Sequence, residues 1–183
     1  MKKRSLNKIV FIAFCIVLNI VGSNIALLLH LPLYLDSIGT IMAAVVLGPL
    51  AGMEAGGLTG LIVGATTDLY SLFFLPVQLL LGLICGLLFR KVSAVKGKQN
   101  WWAAFVISLP GTLVSTLITV LLFHGITSSG SSILVQLLFG AGLSKAAAVF
   151  IIQILTDYLD RLLSLYVVTL VYKVSPNLLK RLT

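Results

Sequence analysis

The sequence predicts an all-α integral membrane bundle of six transmembrane helices, with both termini cytoplasmic and a single domain spanning residues 1–183. Three observations carry that expectation. Hydrophobic residues make up 59% of the chain and charged residues 10%, with a mean hydropathy of +1.13, whereas a soluble domain carries about 25% charged residues. The apolar residues fall into six stretches. The basic residues gather in three short clusters that an even number of crossings places on one side.

Taken in order, the apolar stretches run from Leu6 to Leu29, Ile38 to Met53, Gly57 to Phe74, Val77 to Phe89, Trp101 to Phe123 and Leu143 to Tyr172. A helix needs roughly 20 apolar residues to cross the hydrocarbon, so three of these fall short and are expected to start earlier, tilt, or pack beside longer neighbours. The start, Met1-Lys2-Lys3-Arg4 before an apolar run, has the look of a signal peptide. The run continues to Leu29 without a small-x-small cleavage site, and it reads as a retained first helix. Cys15 and Cys85 lie inside apolar runs without C-x-x-C spacing and read as small packing or lipid-facing residues.

The basic clusters are Lys2, Lys3, Arg4 and Lys8; Arg90, Lys91, Lys96 and Lys98; and Lys173, Lys180 and Arg181. Lys and Arg favour cytoplasmic loops, so the side that holds all three is inside. Five or seven crossings would separate the first cluster from the last. The net charge of +8 then reflects topology and contact with anionic headgroups of the lipid bilayer, not a nucleic-acid surface, which would need a basic, aromatic-studded face.

On this topology the outer connections are His30 to Ser37, Thr66 to Pro76 and His124 to Gly142. They hold Tyr34, Asp36, Asp68, Tyr70, Thr127 and Ser128, whereas the inner turn near Gly48-Pro49 carries little beyond Glu54. A ligand site should therefore open outward. Asp36, directly before an apolar run, reads as a helix N-cap. Asp68 reads as a cap or turn residue, with Tyr70 beside it as an amphipathic wall for a ring-containing solute. Residues 127–132, Thr-Ser-Ser-Gly-Ser-Ser, are a solvated loop or a lid.

Gly48, Gly52, Gly56, Gly60 and Gly64 recur every fourth residue. Small residues at helical spacing let helices approach closely, and Pro49 with Ala55-Gly56-Gly57 suggests a turn that splits the stripe over two helices. The stripe is a seam for the chain's own packing or a sliding surface for another membrane subunit. In the sixth span Gln153, Asp157 and Arg161 share one helical face. Charge inside a membrane normally faces the bundle interior or a wet cavity and is paired; an Asp157–Arg161 structural pair and a ligand contact are both open readings.

No G-x-x-x-x-G-K-[ST] phosphate loop occurs, nor H-E-x-x-H, a Cys/His metal cluster or a G-x-S-x-G elbow. The chain is not expected to be an enzyme or to bind a cofactor or metal. His30 and His124 read as interfacial residues.

Leu31-Pro32-Leu33-Tyr34-Leu35-Asp36-Ser37-Ile38-Gly39-Thr40, Leu47-Gly48-Pro49-Leu50-Ala51-Gly52, the basic loop between the fourth and fifth spans, and the long last span with Thr156-Asp157-Tyr158 occur in an order that resembles the substrate-binding S components of energy-coupling factor (ECF) transporters. The resemblance covers nearly the whole chain. It implies a single substrate-binding domain that captures a vitamin from outside a bacterial cell, topples on a transmembrane coupling protein, and releases the vitamin inside. Two cytoplasmic ATPases supply ATP and magnesium chemistry, in keeping with the missing phosphate loop. Family members dock through A-x-x-x-A on the first helix; here Ala13 is followed by Val17, a departure from the pattern. The expected docking residues are Ala13, Val17, Gly48, Gly52, Gly56 and Gly60. The expected substrate contacts are Asn24, Tyr34, Asp36, Asp68, Tyr70, Gln78, Thr127, Ser128, Gln153 and Asp157. The Leu-Asp-Ser-Ile-Gly-Thr segment is most similar to cobalamin-type members; pantothenate, for which Lys145 or Arg161 would serve the carboxylate, riboflavin and a nucleoside-like compound are the other candidates. A self-contained secondary carrier is the alternative outside the family, although the inverted repeat common in such carriers is not evident.

Overall fold

The computed structural model describes residues 2–91 and 100–174. Within them the chain forms eight helices: α1 (Lys2–Leu28), α2 (Ile38–Leu47), α3 (Pro49–Thr66), α4 (Tyr70–Phe73), α5 (Leu75–Lys91), α6 (Asn100–Leu121), α7 (Ser131–Gly140) and α8 (Lys145–Val174). Lys96, Lys98, Lys180 and Arg181 of the basic clusters lie outside the described residues.

Six helices answer to the six apolar stretches, and α4 and α7 are additional short helices inside the connections. The turn between the second and third stretches falls near Gly48-Pro49, as expected, and does not extend to Ala55-Gly56-Gly57, which lie inside α3. At Gly48 φ is +100°, a backbone region that side-chain-bearing residues resist. Pro49 follows at the first position of α3, where its missing N–H leaves nothing unpaired and its fixed φ suits the helix. The consequence is a short α2: ten residues rise about 15 Å, roughly half a hydrocarbon core.

By length and composition, Leu6–Leu28 and Asn100–Leu121 are long and apolar enough to cross a membrane. The thirty residues of α8 rise about 45 Å, and the charged side chains in its middle, Asp157, Asp160 and Arg161, are all buried, while Lys145 and Lys173 near its ends are exposed. The surface is apolar on helix after helix. Val10, Phe14 and Val17 on α1, Leu58 and Leu61 on α3, Leu113 and Leu117 on α6, and Leu155, Leu159 and Leu170 on α8 are exposed, while Asn19, Thr40, Thr59, Gln78 and Thr112 are buried. Polar groups inside and apolar groups outside is the distribution a lipid solvent selects.

The glycine stripe is a seam within the chain. Gly52, Gly56, Gly60 and Gly64 all lie on α3 and are buried; Gly82, Gln78 and Leu75 of α5 stand against the first three and Leu72 of α4 against Gly64. A β-carbon added at Gly82 of α5 would stand 2.4 Å from the Gly52 carbonyl carbon and from the Met53 nitrogen. The two backbones touch because neither residue carries a side chain there. The stripe is therefore on one helix, not two, and Gly52, Gly56 and Gly60 present no free docking surface; Gly48 sits in the α2–α3 turn. Ala13 and Val17 differ, both being exposed on α1. Cys15 and Cys85 are fully buried in the main core with Ile41, Ala44, Leu81 and Ile107, which settles them as packing residues.

Candidate functional site

Because the helices alternate in direction, the connections 29–37, 67–74 and 122–144 meet at the end of the bundle opposite the chain's described termini. They enclose a cavity of about 100 Å³. Its walls take Tyr34 and Asp36 from the first connection, Asp68, Tyr70 and Phe74 from the second, and Thr127, Ser128 and Ser129 from the third, while Gln78 of α5, Ser115 of α6 and Asp157 and Arg161 of α8 reach it from the spans.

The floor is a charged cluster tied together from both ends of the sequence. Asp160 is fully buried and accepts the Leu35 backbone N–H at 2.7 Å and the Ser37 hydroxyl at 2.6 Å. Ser37 also meets the Ser164 hydroxyl at 2.8 Å. Leu35 takes a left-handed φ of +53° to aim that N–H, a conformation that costs a non-glycine residue about 1–3 kcal/mol and persists only where its surroundings hold it. Arg161 contacts Asp160 directly, and its Nη1 lies 3.9 Å from Asp36 Oδ1. The partner of Arg161 is thus the adjacent Asp160, not Asp157 one turn earlier. Asp157 accepts the Thr112 hydroxyl at 2.6 Å instead.

Asp36 is not a helix cap. Ser37 holds the N-cap position of α2, without a side-chain capping bond. The Asp36 carboxylate turns into the cavity, where Oδ2 accepts the Gln78 side-chain amide and Oδ1 is buried without a hydrogen-bond partner. Leaving a buried acceptor unpaired costs about 1–3 kcal/mol, more for a charged group; the Arg161 guanidinium, 3.9 Å away, offsets part of that through its charge. Burial pushes the Asp36 carboxyl up to about 6 against the opposing pull of Arg161, with Asp160 and Asp157 pushing the same way as burial. The Tyr34 phenol is pushed up too, by burial first and then by Asp157, while its hydroxyl contacts Ser131 and Ser129 of the third connection.

Behind Gln78 stands a hydrogen-bond chain that joins four helices. Asn19 of α1 donates to Thr40 of α2 at 2.9 Å and to Thr59 of α3 at 3.2 Å, and its Oδ1 accepts the Gly39 N–H at 2.7 Å. Thr40 donates to Gln78 Oε1 at 3.5 Å. An amide inside an apolar span signals such a role, and Asn19, Asp160, Ser37 and Ser164 are the functional neighbours that sequence reasoning did not select. Opposite them, Tyr70 packs edge-on against Phe123 with centroids 4.7 Å apart, and Phe74 lies 6.1 Å from the same ring. Asp68 accepts from the Ser71 hydroxyl at 3.1 Å, and Ser132 donates to the Thr127 carbonyl at 3.0 Å, so the second and third connections carry their own turn bonds.

Of the ten expected substrate contacts, Tyr34, Asp36, Asp68, Tyr70, Gln78, Thr127, Ser128 and Asp157 line the cavity. Asn24 does not: it donates to the Ile20 carbonyl of its own helix at 2.7 Å. Gln153 does not either. It is a clamp between α8 and α6, accepting from Ser115 at 3.1 Å and Thr116 at 2.9 Å and donating to Thr119 at 2.9 Å. Gly60, expected at a docking surface, faces the cavity. Lys145 is outside it, with Nζ 5.6 Å from the Phe139 ring centre. Among the described residues no group of three or more His, Cys, Asp or Glu is arranged to hold a metal.

Comparison with curated proteins and with solved structures returns no match. The model of one protein family, described as "ECF transporter, substrate-specific component", matches residues 7–172. A match over that much of the chain, on a helical bundle with a polar cavity at one end, means that this protein belongs to the substrate-specific components of ECF transporters.

Proposed function

We propose that this chain captures a vitamin-sized solute at the outer face of a bacterial membrane and delivers it inward when it docks on a coupling protein driven by two ATPases. Six membrane crossings with cytoplasmic termini put the three cavity-forming connections outside, where a dilute solute is met. The observation that carries the reading is that all three connections on one side of the bundle contribute to a single cavity, while the described turn at Gly48 on the other side does not line it.

The size of the cavity bears on the cargo. One water takes about 10–15 Å³ in such a measure, so about 100 Å³ offers room for roughly seven to ten water-sized groups. The cavity is open on one side, so a corrinoid, or the three rings of riboflavin, would seat in it only in part and protrude through the mouth. Pantothenate is closer in size, but its carboxylate finds Arg161 already engaged by Asp160 and Asp36 and Lys145 outside the cavity. The cargo favoured here is a single-ring or similarly compact solute. Docking on the coupling protein falls to the exposed face of α1 around Ala13 and Val17.

The chain purified alone should carry or bind such a solute, detected by mass spectrometry of the released ligand and by a rise in melting temperature, since a ligand of the native state stabilises it. Uptake into vesicles should require the ATP-driven module. Accumulation by the chain alone, without that module, would make it a self-contained carrier and sink the proposal.

A further inference from the structure

The geometry points to a solute that carries a positive charge beside a ring or other flat apolar group, held between the carboxylates of the cavity floor and its aromatic wall. This rests on the capture reading above. Among the described lining residues, Asp36, Asp68 and Asp157 are acids and Arg161 is the one base. That guanidinium is already in contact with Asp160, a further carboxylate behind the lining, and 3.9 Å from Asp36. The floor therefore holds more negative than positive charge.

Such a surplus is expensive at membrane depth unless something pairs with it. Two carboxylates of the lining keep their charge beside the space where a solute would sit. Asp36 has Oδ2 on the Gln78 amide and Oδ1 enclosed beside Arg161 without a hydrogen bond, and Asp157, only 4% exposed, has its described hydrogen bond on Oδ2, from Thr112. The charge of a bound cation offsets both. An anion would add to the surplus.

The wall suits the same partner. Tyr34, Tyr70 and Phe74 line the cavity, and Phe123 fixes Tyr70 and Phe74 from behind. Aromatic faces attract a cation within about 6 Å of the ring centre, and they stack on a flat apolar body. Carboxylates on one side and rings on the other distinguish a cationic ring compound from a sugar, which would want hydroxyl partners all round, and from a fatty chain, which would want no carboxylates.

The test uses three probes that share a phenyl ring, on the full chain in detergent or nanodiscs: benzyltrimethylammonium, benzyl alcohol and benzoate. Isothermal titration and thermal shift should rank the cation first, by about tenfold over the neutral alcohol. Asp157→Asn keeps an acceptor for Thr112 and removes the charge; it should weaken binding of the cation about tenfold more than that of benzyl alcohol, so that the preference collapses. Asp36→Asn is the second variant should the first fail to fold. A ranking led by benzyl alcohol or benzoate overturns the cation proposal and leaves solute capture standing. No response to any probe, together with none to a panel of B vitamins and nucleosides, overturns both.

Discussion

Gln78 on α5 donates its side-chain amide to Asp36, a residue of the connection between α1 and α2 and forty-two positions earlier in the chain. The bond holds one carboxylate oxygen and leaves the other enclosed beside Arg161. Gln78→Ala should therefore loosen Asp36 and lower affinity for the co-purifying solute about tenfold, on the basis of roughly 1–3 kcal/mol for a hydrogen bond to a charged group. Gln78→Glu should do worse by placing like charges together. Titration calorimetry on both variants checks the order.

Asn19 acts on stability, not on the solute. Its amide serves Gly39, Thr40 and Thr59 at once in a fully buried position. Asn19→Leu should leave those partners unpaired and destabilise the bundle by about 1–3 kcal/mol, read as a lower melting temperature in detergent.

Gly82→Val should be more damaging than its surface counterpart on α1. A β-carbon at Gly82 meets the α3 backbone at 2.4 Å, and backbone cannot rotate aside, so α3 and α5 must separate at a cost of about 1–3 kcal/mol or more. Ala13→Leu adds volume to an exposed position and should change the melting temperature little.

Ala13→Trp and Val17→Trp test docking separately from capture. Both side chains face outward on α1, far from the cavity lining. Solute binding by the isolated variants should match the parent protein, and assembly with the coupling protein, followed by pull-down, should fall severalfold. Unchanged assembly would move the docking face elsewhere.

Proton binding at Asp36 gives two trends of opposite sign. Its carboxyl is pushed from 3.8 up to about 6 by burial, so the folded state holds the proton more tightly than the unfolded one, and stability of the empty protein declines as pH rises through the window from about 4 to 6. The groups around Asp36 are Arg161, Asp157 and Asp160 on α8, Gln78 on α5 and Tyr34 in its own connection. Binding of benzyltrimethylammonium needs the charged form, and its affinity should fall about tenfold per pH unit below 6. Melting curves and titrations from pH 4.5 to 7.5 check both trends.

Much of the candidate site was legible because the three connections at one end of the bundle are the segments where Asp, Tyr, Ser and Thr interrupt apolar sequence. Residue spacing was a poorer guide to partners. Asp157 and Arg161 share a helical face, yet Arg161 is taken by its neighbour Asp160 because Leu35 and Ser37 hold that carboxylate in place. The glycine stripe showed that something approaches α3, but nothing in its own sequence names α5. Asn24 and Gln153 look alike as lone amides in apolar runs; only packing reveals that one bonds its own helix and the other clamps α6. The extent of the turn at Gly48-Pro49 was overread because Gly56-Gly57 offered a second pair of weak helix formers, which α3 holds in helix with α5 packed on it.

The bonds from Leu35 and Ser37 to Asp160 span 125 and 123 positions, so the bottom of the cup is stitched by the first and last thirds of the chain. During synthesis the early helices enter the bilayer long before their mooring exists. A nascent chain halted ahead of α8 would be inserted but bottomless, and ligand retention is accordingly a report on completed translation as much as on affinity.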